Sequence, residues 1–83
     1  MKVQISKALD PVSRLEIGVS TWDETKMSIR LRFDKKNRFD VRSSSEIPLS
    51  HLVEIVVYAI ENNQMKDGDL LKIIEAANAG LKP

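Results

Sequence analysis

The chain contains very few of the residues on which covalent and metal chemistry depend. Its 83 residues include no cysteine and one histidine, His51. No disulfide or thiolate metal site is therefore possible, and without cysteine or a paired serine and histidine little remains for nucleophilic catalysis. A glycine-rich phosphate loop is also missing, and residues 67–69 (Asp-Gly-Asp) lack the remaining ligands of a calcium loop. We expect no enzymatic activity, no metal and no cofactor.

Long apolar segments are missing too. The longest apolar-rich stretch, residues 52–60, is far too short to span a bilayer, and the N-terminus has no apolar run of signal-peptide length. Together with the lack of cysteine, this indicates an intracellular protein without a membrane partner, cytoplasmic or nucleoid-associated, or in the host cytoplasm if the protein is viral. A single domain of this size, residues 1–83, buries only about 60–65% of the surface of its unfolded chain. Self-association is therefore expected.

The net charge of +1 conceals a strongly basic segment. Residues 26–42 carry seven basic and two acidic side chains, a net of +5, against −1 for residues 1–25 and −3 for residues 43–83. Basic side chains that face outward on paired strands repel one another unless an anion lies across them. The first hypothesis for that anion is the phosphate backbone of a nucleic acid.

Two alternating patterns within this segment predict a β-hairpin. In residues 26–33, apolar and polar residues alternate with a period of two, which is typical of a half-buried strand. After a four-residue turn at 34–37 the alternation resumes. The apolar side is predicted to hold Met27, Ile29, Leu31, Phe33, Phe39 and Val41. The polar side is predicted to hold Lys26, Ser28, Arg30, Arg32, Arg38, Asp40 and Arg42.

Further short strands are predicted on both sides of the hairpin. Residues 15–22 alternate in the same way, and residues 2–6 indicate a short edge strand or an ordered arm before the break at Asp10-Pro11. Residues 47–49 leave room for a very short strand, which Pro48 confines to a sheet edge because proline has no N–H group.

Two residues on the polar side of the 15–22 strand have a specific meaning. Gly18 allows another backbone or a ligand to approach closely. Trp22, the only tryptophan, either covers an edge of the core or offers a base-stacking platform beside the arginines.

The C-terminal half predicts two helices. Ser50 is the predicted N-cap of a main helix over residues 50–63, although a start capped by Ser44 or Ser45 with Pro48 in the first turn is also allowed. The apolar stripe of this helix is wider than one sheet face requires. The excess is expected to contact the same helix of a partner in a twofold homodimer, or alternatively the next helix. The predicted dimer interface is Leu52, Ile55, Val56, Ala59 and Ile60.

The second helix is predicted over residues 69–79, with an aspartate of the Asp67-Gly68-Asp69 segment as its cap and Gly80 as its C′ residue. The predicted class is therefore α+β. A four-stranded antiparallel meander within residues 15–49 is followed by the main amphipathic helix and the short C-terminal helix.

Two short motifs flank the loop between the hairpin and the main helix. They are Asp40-Val41-Arg42, at the end of the hairpin, and Ile47-Pro48-Leu49-Ser50. These motifs resemble the positive cofactor four family of transcriptional coactivators, whose bacterial and phage relatives are also small single-stranded-DNA-binding proteins. In that family an Asp-Ile-Arg motif, a loop and a Gly-Ile-x-Leu-Ser segment lead into one amphipathic helix. The aromatic residue usual after Asp-Ile-Arg is absent, since Ser43 and Ser44 stand there.

The resemblance covers roughly residues 15–62 and implies a curved four-stranded sheet backed by a helix. It also implies a homodimer formed through the helices, with unpaired strands of nucleic acid across the sheets. The nucleic-acid-binding residues expected from the resemblance and the basic pattern are Arg30, Arg32, Lys35, Lys36, Arg38, Arg42, Lys26 and Trp22.

The leading functional hypothesis is single-stranded DNA binding, largely independent of sequence, in transcription, replication or recombination. Proteins of replication or transcription are then further partners. The alternative is a dimeric ribbon-helix-helix repressor that reads duplex DNA, because residues 37–80 follow its order of one strand and two helices. A third hypothesis is a protein-binding dimer whose basic face meets an acidic partner.

Overall fold

The computed structural model describes residues 1–36, 38–41 and 44–81. Over these residues the chain is α+β, with an antiparallel sheet followed by two helices, as the sequence predicts. The strands are β1 (Lys2–Asp10), β2 (Ser13–Val19), β3 (Met27–Lys35), β4 (Arg38–Phe39) and β5 (Ile47–Pro48). The helices are α1 (Leu52–Glu61), which continues from a 3₁₀ turn at Leu49–His51, and α2 (Asp67–Gly80).

Strand β3 lies at the centre of the sheet. The order is β1-β2-β3-β4, and β5 also pairs with β3 rather than with β4. Because β2 occupies one edge of β3 along seven residue pairs, β4 and β5 share the other edge. The predicted strands within residues 15–49 are therefore present, but the last one does not continue a meander. The edge position predicted for Pro48 is confirmed.

The hydroxyl of Ser44 forms a hydrogen bond with the edge of β3, between the segments that pair with β4 and with β5. Ser44 Oγ accepts a hydrogen bond of 2.9 Å from the backbone N–H of Phe33, and the N–H of Asp40 donates to the carbonyl of Phe33 at 2.8 Å. A buried backbone group needs a hydrogen-bond partner, and the partner of the Phe33 N–H is the Ser44 side chain. The alternative role of Ser44 as a helix cap is therefore wrong.

Strand β1 is longer than predicted, and its turn into β2 is built by Asp10. Asp10 Oδ1 accepts hydrogen bonds from the backbone N–H groups of Val12 and Ser13 at 2.8 and 2.7 Å, and Oδ2 accepts one from Ser13 Oγ at 2.7 Å. These bonds, the Ser13 hydroxyl first, lower the pKa of Asp10 below its usual value. The stabilisation is present above the unfolded-state pKa and is lost as pH falls through the lowered value.

Gly18 lies where the backbone of β1 crosses close to β2. The pairing of β1 with β2 is irregular between Val3 and Ile5, and a Cβ atom on Gly18 would collide with the Lys2 carbonyl group and lie 2.8 Å from the Val3 Cα. The prediction that another backbone approaches this glycine is confirmed. Opposite it on β3 lies Ser28, which is fully buried.

The buried side chains of the sheet are mainly small and polar. Among the described residues, no hydrophobic side chain is fully buried. The apolar residues of β2, such as Ile17, are half-buried, whereas Glu16 and Ser20 on the other face are buried. Ser20 Oγ and Ser28 Oγ are hydrogen-bonded at 2.6 Å. The face predicted to be the solvated side of the strands is thus the more buried one.

The ends of the main helix differ from those predicted. No side chain caps the 3₁₀ turn, which begins after Pro48, and α1 ends at Glu61 rather than at residue 63. Ser50 therefore lies within the first turn and is not its cap.

The ends of the second helix also differ. The N-cap of α2 is Lys66, whose N–H lies 3.4 Å from the Asp69 carboxylate, and Asp67 is the first helical residue. Gly80 is the last helical residue and Leu81 is the C-cap. Gly80 is therefore not the C′ residue.

The chain divides into two compact units, Met1–Val53 and Glu54–Pro83. The sheet lies in the first unit, while most of α1 and the whole of α2 lie in the second. Within the described ranges no helix is long and apolar enough to cross a membrane.

We predict that Gly18→Ala destabilises the sheet by about 2 kcal/mol or more, because the added methyl group meets backbone that cannot move independently of β1. The matched control is Gly68→Ala, because nothing lies within 4 Å of a Cβ at Gly68 in α2. Alanine there is expected to stabilise the helix by up to about 1 kcal/mol. Urea denaturation followed by circular dichroism measures both, and equal effects of the two substitutions would contradict the close approach.

Candidate nucleic-acid interface

A buried carboxylate lies in the middle of the predicted basic face. Glu16 on β2 lies directly opposite Arg30 on β3, and its side chain is only 4% exposed. Arg30 Nε donates a hydrogen bond to Glu16 Oε1 at 2.8 Å, and Arg32 Nη1 lies 3.8 Å from Glu16 Oε2. A buried carboxylate requires such partners because desolvation disfavours its charged form. Glu16 therefore binds both arginines.

The two arginines have a second acid and an aromatic ring around them. Arg32 Nε donates to Asp34 Oδ1 at 3.0 Å. The guanidinium carbons of Arg30 and Arg32 lie 4.5 and 4.7 Å from the centre of the Phe39 ring. Both distances are within the range of cation–π attraction. We call Glu16, Arg30, Arg32, Asp34 and Phe39 the Glu16 cluster.

The hairpin register explains how Phe39 reaches this cluster. Asp34 pairs with Phe39 and Lys35 with Arg38, so only two residues separate the paired ends, and Lys36 adopts a positive φ of 50°. The predicted turn had four residues. Directly paired residues lie on the same face of a sheet, so a turn of either two or four residues places Phe39 on the face of Arg32 and Asp34. Phe39 therefore lies on the charged face with Asp34, and its predicted place on the apolar side is wrong. Arg38, paired with Lys35, lies on the opposite face, and its predicted place beside Arg30 and Arg32 is wrong.

The sheet arginines were predicted to need an anion across them, and part of that negative charge comes from the chain. Glu16 and Asp34 bring two negative charges to the two positive charges of Arg30 and Arg32. The anion that lies across these arginines is thus supplied by the chain itself. The middle of the sheet is therefore a neutral ion-pair network, which attracts phosphate less than unpaired arginines would.

The tip of the β3–β4 hairpin remains basic and exposed. Lys35 Nζ forms an ion pair with Asp40 Oδ2 at 2.9 Å. Lys36 and Arg38 are exposed, and neither has an ion pair with any carboxylate in the described part of the chain. The predicted tip residues are therefore brought together on one turn.

Arg14 is a basic residue of this end of the sheet that sequence reasoning missed. It lies on β2 directly opposite Arg32 and is exposed, and no ion pair joins it to another described residue. It also lines a surface pocket of about 280 Å³ together with Asp10 and Asp34. The sequence alone could have indicated this position, because β2 and β3 form a hairpin and their pairing places Arg14 beside the arginine face.

Trp22 and Lys26 lie at the other end of the sheet. Both belong to the loop between β2 and β3, and the backbone carbonyl of Lys26 accepts a hydrogen bond from Ser20 N–H at 3.0 Å. From that loop to the tip, β3 extends over about 26 Å at about 3.3 Å per residue. Trp22 is 54% exposed, but it is not beside the arginines. Arg42, also predicted to bind nucleic acid, lies outside the described residues.

The predicted dimer stripe lies along α1. Leu52, Val56 and Ala59 are half-buried, whereas Ile55 and Ile60 are exposed. Apolar side chains elsewhere on α1, including Val57 and Tyr58, are exposed too.

Comparison of the chain with protein-family models, with curated proteins and with solved structures finds no match. The functional proposals below therefore depend on the residues and their geometry.

We predict that Glu16→Gln lowers the free energy of unfolding by about 3 kcal/mol, because it leaves Arg30 and Arg32 with one countercharge fewer in a buried site. The matched control is Glu24→Gln in the exposed β2–β3 loop, where a change within about 0.5 kcal/mol is expected. Urea denaturation followed by Trp22 fluorescence measures both. If the two variants unfolded alike, the Glu16 cluster would not stabilise the sheet.

Proposed function

We propose that the protein binds single-stranded DNA, largely independently of sequence, through the basic end of its sheet. The observation that carries this proposal is the presence of three exposed cations at one end of the sheet, Arg14, Lys36 and Arg38, with no carboxylate partner among the described residues. The strand pairing places Arg14 on the face of Arg32 and Arg38 on the opposite face, so the proposed site surrounds the end of the sheet. The β1–β2 turn and the end of β3 meet there, since Asp34 N–H donates to the Val12 carbonyl at 2.8 Å. Exposed cations without internal partners are available to neutralise phosphates.

The Glu16 cluster has a supporting role in this proposal. Because Arg30 and Arg32 are held by Glu16 and Asp34, their contribution to phosphate binding is smaller than that of the exposed end. Arg32 keeps 30% of its side chain exposed. Its planar guanidinium offers a surface on which an unpaired base can stack. Trp22 offers a second stacking surface at the far end of β3.

The order of elements supports the same class of function. Over residues 15–62, the strands β2 to β5 are followed by one helix, which agrees with the arrangement that the resemblance to the positive cofactor four family implies. Within this proposal the protein acts on exposed single strands during replication, recombination or transcription, in the cytoplasm or at the nucleoid, or in the host cytoplasm if it is viral. Proteins of those processes are its further partners.

The ribbon-helix-helix alternative has less support. In that class the single strand pairs with the same strand of a second subunit. Here β4 has two residues, Arg38 and Phe39, and it pairs with β3 of its own chain. We therefore place single-stranded DNA first.

We also propose that the protein is a homodimer that pairs through α1. The stripe on α1 leaves Ile55 46% exposed, and the described part of the chain contains no fully buried hydrophobic side chain. A small domain without a buried apolar core gains stability when a partner covers such a stripe.

For DNA binding, we predict salt-sensitive affinity for a labelled single-stranded oligonucleotide in fluorescence anisotropy. Replacing Arg14, Lys36 and Arg38 together with alanine should reduce the log–log salt slope by about 2, at about 0.7 for each lost phosphate contact. Affinity should fall alike for every sequence tested. Quenching of Trp22 emission on binding would place a base beside it.

The matched control is Lys72→Ala, which removes an exposed cation from α2. It should leave affinity and salt slope unchanged. A preference for one duplex would favour the repressor alternative, and no binding to either form would favour an acidic protein partner. Equal losses for Lys72→Ala and the sheet variant would contradict the proposed surface.

For the homodimer, we predict that Ile55→Lys lowers the molar mass in light scattering by about half, because it places a charge in the proposed interface. Val57→Lys is the matched control, since Val57 is 44% exposed on the other side of α1. It should leave the dimer intact. An unchanged molar mass for Ile55→Lys together with a halved molar mass for Val57→Lys would move the interface to the opposite face.

A further inference from the structure

Strand β1 presents a long, unpaired sheet edge. It has nine residues, all of them exposed, whereas the average strand has about five or six. Within the described residues its only paired neighbour is β2, so the N–H and C=O groups of its outer edge have no strand partner. It contains no proline, and Val3, Ile5 and Leu9 are exposed apolar residues on it. Such an edge is a template for pairing with another strand.

We propose that β1 pairs with β1 of a second copy of this chain, antiparallel, with the twofold axis at Ser6. The β1 edge is suited to pair with the β1 edge of a second copy, because its side chains are complementary when the two strands run in opposite directions. With Ser6 opposite Ser6, and with the two irregularities of the β1–β2 pairing counted, Lys2 and Asp10 each lie three ladder positions from Ser6. Lys2 of each copy therefore faces Asp10 of the other, and Val3 faces Ala8. Opposite charges and apolar pairs directly across a strand pair are stabilising.

Other registers are less favourable. Twofold symmetry and the alternation of side chains require a residue, not a peptide bond, at the centre. Centring on Lys7 would place the two Lys7 side chains directly opposite each other, and like charges in that position repel. Centring on Ile5 would face Lys2 with Lys7, which again sets like charges against each other.

The backbone of β1 is regular where this pairing is centred. Its pairing with β2 shifts between Val3 and Ile5 and again between Ala8 and Asp10, while Ile5 to Ala8 pair residue for residue. One irregularity therefore lies on each side of the central segment, and Lys2 and Asp10 remain at equal ladder distances from Ser6.

The pairing has a consequence for the sheet. A twofold axis between antiparallel neighbours is perpendicular to the sheet, so both copies keep the same face on the same side. The two Glu16 clusters then lie on one side of a continuous sheet. This interface is separate from the α1 stripe and does not depend on the DNA-binding proposal.

The test uses three single-cysteine variants, Ile5→Cys, Ser6→Cys and Lys7→Cys, in a chain that has no other cysteine. Directly opposed residues have Cα atoms about 4.5–5.5 Å apart, within the range that a disulfide bridges, whereas residues displaced by two positions are more than about 7 Å apart. Under mild oxidation, Ser6→Cys should form covalent dimers about tenfold faster than either neighbour. Ser6→Lys should weaken self-association in light scattering, since it sets two charges against each other at the axis.

The same variants in the Ile55→Lys background separate this interface from α1, and single-stranded DNA binding is measured in parallel. Retained cross-linking of Ser6→Cys in that background would support the β1 interface independently of the helix. Equal or faster cross-linking of either neighbour would overturn the register. No cross-linking of Ser6→Cys, with an unchanged molar mass for Ser6→Lys, would overturn the interface itself and would leave the DNA-binding proposal untouched.

Discussion

The buried carboxylate of Glu16 is the constraint on which the rest of the sheet depends. A group that is 4% exposed and charged must keep its cations, and Arg30 and Arg32 can reach it only if β2 and β3 hold their present register. That register also fixes where Phe39 packs, because the ring lies against both guanidinium groups. The ion pairs join β2 to β3, and the contacts of the Phe39 ring with both arginines add β4. This network also divides the basic residues into those that the fold uses and those that remain available to a partner.

This division changes where a binding surface is found. From charge alone, Arg30 and Arg32 in the middle of β3 are the strongest candidates for phosphate binding. Both are already ion-paired with carboxylates of the same chain. The available cations are Arg14 on β2 and those of the β3–β4 turn, at one end of the sheet. The neutral middle of the sheet supports the exposed basic end, because the buried ion pairs fix the strands that carry the exposed cations.

Much of the sheet could be predicted from the sequence, because the alternation of apolar and polar residues along a strand can be recognised within a few consecutive residues. Register is not local in the same way: it depends on Lys36, a residue other than glycine that adopts a left-handed backbone and shortens the turn to two residues. The face of Phe39 was predicted wrongly for another reason: directly paired residues of a hairpin lie on the same side, and an even-numbered turn of either length places Phe39 with Arg32 and Asp34. The pairing of Glu16 with Arg30 was within reach, since both lie on the polar side of one hairpin. The helix ends were missed because the 3₁₀ turn before α1 begins after Pro48 without a side-chain cap, and because the N-cap of α2 is Lys66, whose N–H lies 3.4 Å from the Asp69 carboxylate.

The serines buried beside Gly18 have a thermodynamic consequence. Unfolding raises the heat capacity where it exposes apolar surface and lowers it where it exposes polar surface. The fully buried side chains of the described sheet are hydroxyls and one carboxylate, with Ser28 the most enclosed. The sheet should therefore unfold with an unusually small heat-capacity increment and a flat stability curve. Such a fold loses little stability on cooling.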